Sequence, residues 1–218
     1  MRMFLVVGLM LASAAGAELR ITVYDQAHLT KGVTRTALDA VRDIFRASGI
    51  DTVVRAGDPA ADEASLIMIP APPRKGQEEA VQCEARRDIA LEIVAIAPPS
   101  RKTTILGTAV PLAREGLNVR VFDDRIRDEA LKWNRSHGIL LAHVIVHEIG
   151  HVLLRSDGHS PSGLMSSSWG NREYDWITRG LMLFSRAESE RMRMTLAGTG
   201  CPGDVPPARF RSDFRHTK

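Results

Sequence analysis

Five consecutive residues carry the chemistry that can be read most directly from this chain: His147-Glu148-Ile149-Gly150-His151. Residues four apart lie on one face of an α-helix, about 6 Å apart, so both imidazoles can turn toward one divalent ion. Glu148 lies one step round the helix, beside the position such an ion keeps open. A catalytic zinc ion makes water a nucleophile near neutral pH and polarises a carbonyl, and a carboxylate beside it can take the water's proton. The spacing points to metal-assisted hydrolysis, with His147 and His151 as ligands of one Zn2+ and Glu148 as general base.

The surroundings of the motif sharpen this reading. Ile139, Leu140, Leu141, Val144, Ile145, Val146, Ile149, Val152, Leu153 and Leu154 are all apolar. A carboxylate and paired histidines inside so apolar a helix are costly to bury without a partner, and a cation is one. The plain alternative is a core helix whose histidines bond ordinary acceptors. His143 sits one turn before His147, but eight helical residues, about 12 Å, part it from His151, too far to share an ion. It reads as a packed, hydrogen-bonded histidine.

The run HEIGHVLLRSDGHSPSGLM, residues 147–165, resembles the active-site segment of the metzincin zinc endopeptidases. In that family H-E-x-x-H runs on to a third ligand and then to a methionine-bearing turn below the metal. The resemblance implies an α+β, zincin-like fold: a mixed twisted sheet with a covering helix, an active-site helix, a Met-turn and a C-terminal helix, across residues 19–197. It implies His147 and His151 as zinc ligands, Glu148 as general base and Met165 as the Met-turn residue.

The family's usual glycine falls on Leu154 here, and its third-ligand position falls on Asp157, which is similar to the small snapalysin-type secreted proteases. His159 competes for that place. With leucine at 154 the helix is expected to run another half turn. Asp157-Gly158 is then the reversal, and His159 is the first side chain to return toward the ion. The third ligand is expected to be His159, with Asp157 as the alternative. By the same resemblance, Leu117 to Phe122 would be the edge strand flanking the cleft, able to accept an extended peptide as a further strand. Arg120 and Asp123 would otherwise shield that edge. Tyr174, beyond the Met-turn, could help hold an oxyanion.

Other chemistries meet obstacles. A gluzincin-type hydrolase would take its third ligand from a downstream glutamate such as Glu173 or Glu188. A deformylase needs an upstream cysteine ligand, and Cys83 has no matching context. A non-catalytic zinc-binding or adhesion module would close its fourth metal position with another ligand, where this motif puts Glu148.

These residues need a scaffold, and the rest of the chain describes one. Leu19 to Tyr24 is a strand. Val33, Ala37, Val41, Ile44 and Phe45 recur at helical steps, with Gly49 as the stop. Asp51 to Arg55 and Ser65 to Ile69 read as the next strands, and residues 70–79 as a loop. This β-α-β order suggests a partly parallel sheet with a covering helix. Ile89 to Ala97 and Thr104 to Val110 are further apolar runs. Helical character begins at Ile126, residues 155–175 read as loop, and Ile177 to Ala197 as one long helix carrying Leu181, Leu183, Phe184, Met192 and Leu196.

At 218 residues, 44% hydrophobic and 25% charged, the composition is that of one ordinary globular domain and excludes collagen-like, low-complexity and disordered classes. A formal charge of +3 gives no reason to expect a nucleic-acid partner. Arg209, Arg211, Arg215 and Lys218 read as a solvated tail, broken by Asp213.

Residues 1–17 read as a secretory signal peptide: Arg2, an apolar run from Met3 to Ala12, and the small-residue site Ala15-Gly16-Ala17. That run is too short to span a bilayer, which needs about 20 residues. Residues 18–218 are then a single zinc metalloprotease domain, secreted or periplasmic. It is expected to be a monomer acting on peptide or protein, with no membrane contact after cleavage. In such a compartment Cys83 and Cys201 are expected to pair as a disulfide.

Overall fold

The first strand, β1 (Ala17–Asp25), buries Leu19, Ile21 and Val23 on one side and turns Glu18, Arg20 and Thr22 to the other, as period-two alternation requires. The structure is a computed structural model that describes residues 17–58, 87–99, 104–110 and 118–199. The expected signal peptide up to Gly16, the strand at 65–69, the loop at 70–79, both cysteines and the basic tail lie outside the described residues.

Helix α1 (Lys31–Ala47) follows, capped by the Thr30 hydroxyl, which accepts from Val33 N–H. It buries Ala37, Val41, Ile44 and Phe45, which are spaced at three and four residues. Gly49, at φ 71, supplies the left-handed step that lets the chain leave the helix. Strand β2 (Ile50–Ala56) then pairs parallel to β1, an arrangement that needs a crossover such as α1.

Strands β3 (Asp88–Val94), β4 (Gly107–Ala109) and β5 (Val119–Phe122) complete a five-stranded sheet in the order β2-β1-β3-β5-β4. Every pairing is parallel except β4 with β5, which is antiparallel. Here the structure corrects the expectation for residues 117–122. Among the described residues β5 is interior, flanked by β3 and β4, and the edge is β4. Val119 and Val121 pack into the core, while Arg120 pairs with Glu92 of β3 instead of shielding an open edge. Asp123 stands 2.8 Å from His137 Nε2 and is buried.

Helix α2 (Asp123–Lys132) starts directly from β5, three residues before the expected onset at Ile126. Helix α3 (His137–Leu154) is largely apolar and buried along most of its length, as a central core helix must be. By length and composition it could cross a membrane, but it lies inside the protein. It packs on α1 at a close approach: a Cβ on Gly138 would stand 2.9 Å from Thr36 Cβ and 3.0 Å from the Val33 carbonyl oxygen.

The single helix expected over 177–197 is two. Helix α4 (Asn171–Thr178) begins inside the stretch read as loop, and α5 (Arg186–Ala197) ends the described chain. Between them Gly180 takes φ 66, and an extended run alternates Leu181 and Leu183 outward with Met182 and Phe184 inward. That alternation is the signature of extended backbone and conflicts with a helical stripe. The result among the described residues is a mixed α+β protein of five strands and five helices, with α3 beneath the sheet and its histidines toward the β4 edge.

Candidate metal centre

Helix α3 delivers His147, Glu148 and His151. It ends at Leu154, earlier than the half-turn extension expected from the sequence. Arg155, not Gly158, takes the left-handed conformation, at φ 52 and ψ 42. A non-glycine residue there costs about 1–2 kcal/mol. The turn is secured by Ser156, whose N–H bonds the His151 carbonyl at 3.1 Å and whose Oγ accepts from Gly158 N–H at 3.0 Å. The chain therefore turns at Arg155, three residues before Gly158, and still brings His159 back to the helix.

His147, His151 and His159 offer ligand atoms that all lie within 4.8 Å of one another. Their ring centroids are 4.8 Å apart for 147 and 151, 5.4 Å for 147 and 159, and 4.8 Å for 151 and 159. His151 is buried, His147 partly so, and His159 exposed. Asp157 is exposed and outside this group. His143 is buried elsewhere, donating Nδ1–H to the Ile139 carbonyl at 2.8 Å, as a packing histidine would.

The hydrogen bonds decide the tautomers. His147 Nδ1 lies 2.7 Å from the Leu164 carbonyl, and His151 Nδ1 lies 2.7 Å from the Ser156 carbonyl. Carbonyl oxygens only accept, so both Nδ1 atoms carry hydrogen and both Nε2 atoms present bare lone pairs. Those two Nε2 atoms face each other at 3.1 Å. Burial disfavours the charged form of both rings, lowering the pKa of His151 and taking that of His147 down to about 4. Two lone pairs at that distance repel unless a cation lies between them. Ligands about 2.0–2.1 Å from a tetrahedral zinc stand about 3.3 Å apart, close to what is found. The three histidines fit one Zn2+.

Glu148 is buried, and that burial pushes its pKa up to about 8. It lies against the edge strand: a Cβ on Gly107 would come within 2.8 Å of Glu148 Cγ and 3.0 Å of Oε1. Glycine is thus what lets β4 pass over the carboxylate. Met165 is buried under the same turn of α3, where a Cβ on Gly150 would meet its Sδ at 2.6 Å. The histidines and Glu148 line a cleft of about 1260 Å³, together with Gly107, Thr108, Ala109, Trp169 and Tyr174.

Three expected alternatives take other places. The Tyr174 hydroxyl donates to Glu129 Oε1 at 2.9 Å and its ring stacks on Trp133, so its proton is committed away from the histidines. Burial, then this bond, raises its pKa. Glu173 accepts from Gly170 N–H at 3.1 Å and pairs with Arg172, closing the start of α4. Glu188 closes the start of α5 with Ser185. Among the described residues neither glutamate belongs to the histidine group.

Sequence reasoning missed the Leu164 and Ser156 carbonyls, because a backbone acceptor has no residue type to recognise. It also missed Trp169, which stands edge-on to His147 with centroids 5.7 Å apart. Gly107 and Gly150 were visible, the latter inside the motif, but their close approaches depend on tertiary neighbours.

No family model matches the chain, and no curated protein matches it in sequence. Among solved structures, it is similar to a zinc-dependent peptidase from Methanocorpusculum labreanum at 15% identity, covering 79% of this chain and 99% of that one, with a TM-score of 0.47. It is also similar to archaemetzincin from Methanopyrus kandleri at 16% identity, covering 85% and 99%, with a TM-score of 0.49. Likeness this loose transfers no residue role, and the chemistry rests on the histidine geometry above.

Proposed function

We propose that this chain is an exported, metzincin-like zinc endopeptidase, acting as a monomer on peptide or protein. The observation that carries the reading is the pair of Nε2 lone pairs held face to face at 3.1 Å, with His159 beside them and Glu148 in the same cleft. A zinc ion bound there supplies acidified water and a polarised substrate carbonyl. The remaining steps belong to the chain. The Leu164 and Ser156 carbonyls keep the His147 and His151 rings turned inward. Glu148 takes the proton of the attacking water on its carboxylate and passes it to the departing amine nitrogen. Strand β4 has one side paired with β5 and the other toward the cleft, so an extended substrate can add to it as a further strand.

Met165 acts in this reading as the residue of a Met-turn, a firm floor under the helix turn that bears both ligands. Three histidines from the protein leave one tetrahedral position for water or substrate, which suits a catalytic site better than a structural one. Export follows from residues 1–17, and the oxidising destination makes Cys83–Cys201 a disulfide. N-terminal sequencing and non-reducing mass mapping of protein recovered from periplasm or medium test both.

The reading is tested by casein hydrolysis with the zinc-loaded protein, after chelator treatment, and after zinc is restored. Cleavage that is lost to chelator and returns with zinc is expected. Cleavage indifferent to chelator, or absent from fully zinc-loaded protein, overturns it.

A further inference from the structure

We infer that Ser160 and Glu188 form a tether that positions His159, so that helix α5 sets the zinc affinity of a site it does not itself enter. The inference rests on the reading of His159 as a ligand. Each of the other two histidines is aimed by a carbonyl at its Nδ1. Among the described residues the His159 ring has no hydrogen-bonded partner, and it is exposed. Its place must come from the backbone beside it, and the next residue is anchored twice. Ser160 Oγ donates to Glu188 Oε1 at 2.6 Å, across 28 residues of sequence. Ser160 N–H bonds the Met165 carbonyl at 2.8 Å, closing the loop whose Leu164 carbonyl aims His147.

A helix cap alone does not account for Glu188. Its Oε2 accepts Ser185 N–H at 2.7 Å, and its own N–H donates to Ser185 Oγ at 3.2 Å, which completes the capping box. Oε1 is spent instead on the loop after His159. One turn further along α5, Arg191 Nη2 donates to the Leu154 carbonyl at 3.1 Å, at the end of the helix that bears His147 and His151. The same face of α5 thus grips the ligand loop and the end of the ligand helix. Groups that orient metal ligands typically change affinity 10–100-fold when removed.

The experiment measures Zn2+ affinity of the full chain by competition with a chromophoric chelator, with thermal unfolding of the metal-free protein alongside. Ser160→Ala removes the tether and leaves the cap, and is expected to weaken zinc binding about tenfold or more. Ser160→Thr, which keeps the hydroxyl, is expected to restore it. Glu188→Ala is expected to weaken zinc as Ser160→Ala does, and the double variant no further, since the two remove one contact. Ser185→Ala damages the cap but spares the tether, so it is expected to lower the unfolding temperature and leave zinc affinity unchanged.

Wild-type zinc affinity in Ser160→Ala overturns the tether. So does a Ser185→Ala loss equal to that of Glu188→Ala, which would mark the effect as general helix damage. His159→Ala separates the two layers of the argument. If it weakens zinc while Ser160→Ala does not, the tether alone is wrong. If it binds zinc as wild type does, the ligand assignment fails and the tether falls with it. Peptide hydrolysis is not read in any arm, so failure of the peptidase reading leaves these outcomes intact.

Discussion

His147 and His151 are ordinary imidazoles until two carbonyls and a buried environment act on them. The Leu164 and Ser156 oxygens hold the hydrogen at each Nδ1, which leaves both Nε2 atoms as donors to a cation. Position, not a carbonyl partner, separates His159 from Asp157. His159 stands in the group, whereas Asp157 is exposed outside it. His159→Ala is therefore expected to cost most of the zinc affinity and Asp157→Ala little, as measured by zinc stoichiometry after dialysis. An empty Asp157→Ala protein beside a fully loaded His159→Ala protein would reverse the assignment.

Glu148 and His147 leave a second signature in the metal-free protein. Burial raises the Glu148 pKa from 4.5 to about 8, so the folded state holds that proton more tightly than the unfolded state does. Its contribution to stability is complete below about pH 4.5 and is lost as pH rises through 8. His147, depressed from 6.5 to about 4, works the other way: its contribution is complete above 6.5 and is lost as pH falls through 4. Of these two groups, only Glu148 still contributes a slope above pH 6.5. Denaturant unfolding of the metal-free protein is thus expected to show stability falling between pH 6.5 and 8. Glu148→Gln should lack that fall, and bound zinc should suppress it by favouring the ionised carboxylate. The same slope in wild type and Glu148→Gln would contradict this.

At the scale of elements, legibility followed the strength of local periodicity. Strands β1 and β2 and helix α1 were readable because their apolar spacing and the Gly49 stop agree with their burial. Helix α3 was readable from its uniform apolarity and motif, but its end was not. The reversal at Arg155 depends on Ser156 N–H reaching back to the His151 carbonyl, a backbone contact with no residue signal, whereas Asp157-Gly158 carries a strong turn signal. The apolar run from Thr104 to Val110 that holds β4 is visible, but nothing in it says that it pairs outside β5, so the true edge is not legible. The helix expected over 177–197 is interrupted at Gly180, and the apolar residues that follow alternate by two, as extended backbone does.

The short edge strand carries its own consequence. A methyl group on Gly107 would press on Glu148 Cγ and on the Arg120 carbonyl oxygen at 3.0 Å. Gly107→Ala is expected to keep zinc and the fold while cutting casein hydrolysis at least about tenfold, because about 1 Å of misplacement at a reacting group can cost a hundredfold. Full activity in zinc-loaded Gly107→Ala would mean that β4 does not constrain Glu148.

Across the whole molecule, two separate lengths of chain meet at the histidines, β4 and the continuous run of α3 with the loop that follows it. The sheet supplies β4 above the cleft, α3 supplies two histidines and the glutamate, and the loop from 155 to 166 returns with His159 and Met165. The ends are locked from α5, where Arg191 reaches the Leu154 carbonyl and Arg193 reaches the Ser48 carbonyl at 2.6 Å. The layers thus converge on a cleft in which Glu148 is the carboxylate proposed to move a proton. Glu148→Gln isolates that role, because the amide keeps the volume and cannot act as the base. The decisive measurement is the casein hydrolysis rate of wild type and Glu148→Gln at equal, verified zinc content. The variant is expected to retain its zinc and to fall by about 10²–10⁴-fold. A zinc-loaded Glu148→Gln protein that cleaves at the wild-type rate would contradict the assignment of Glu148 as the base.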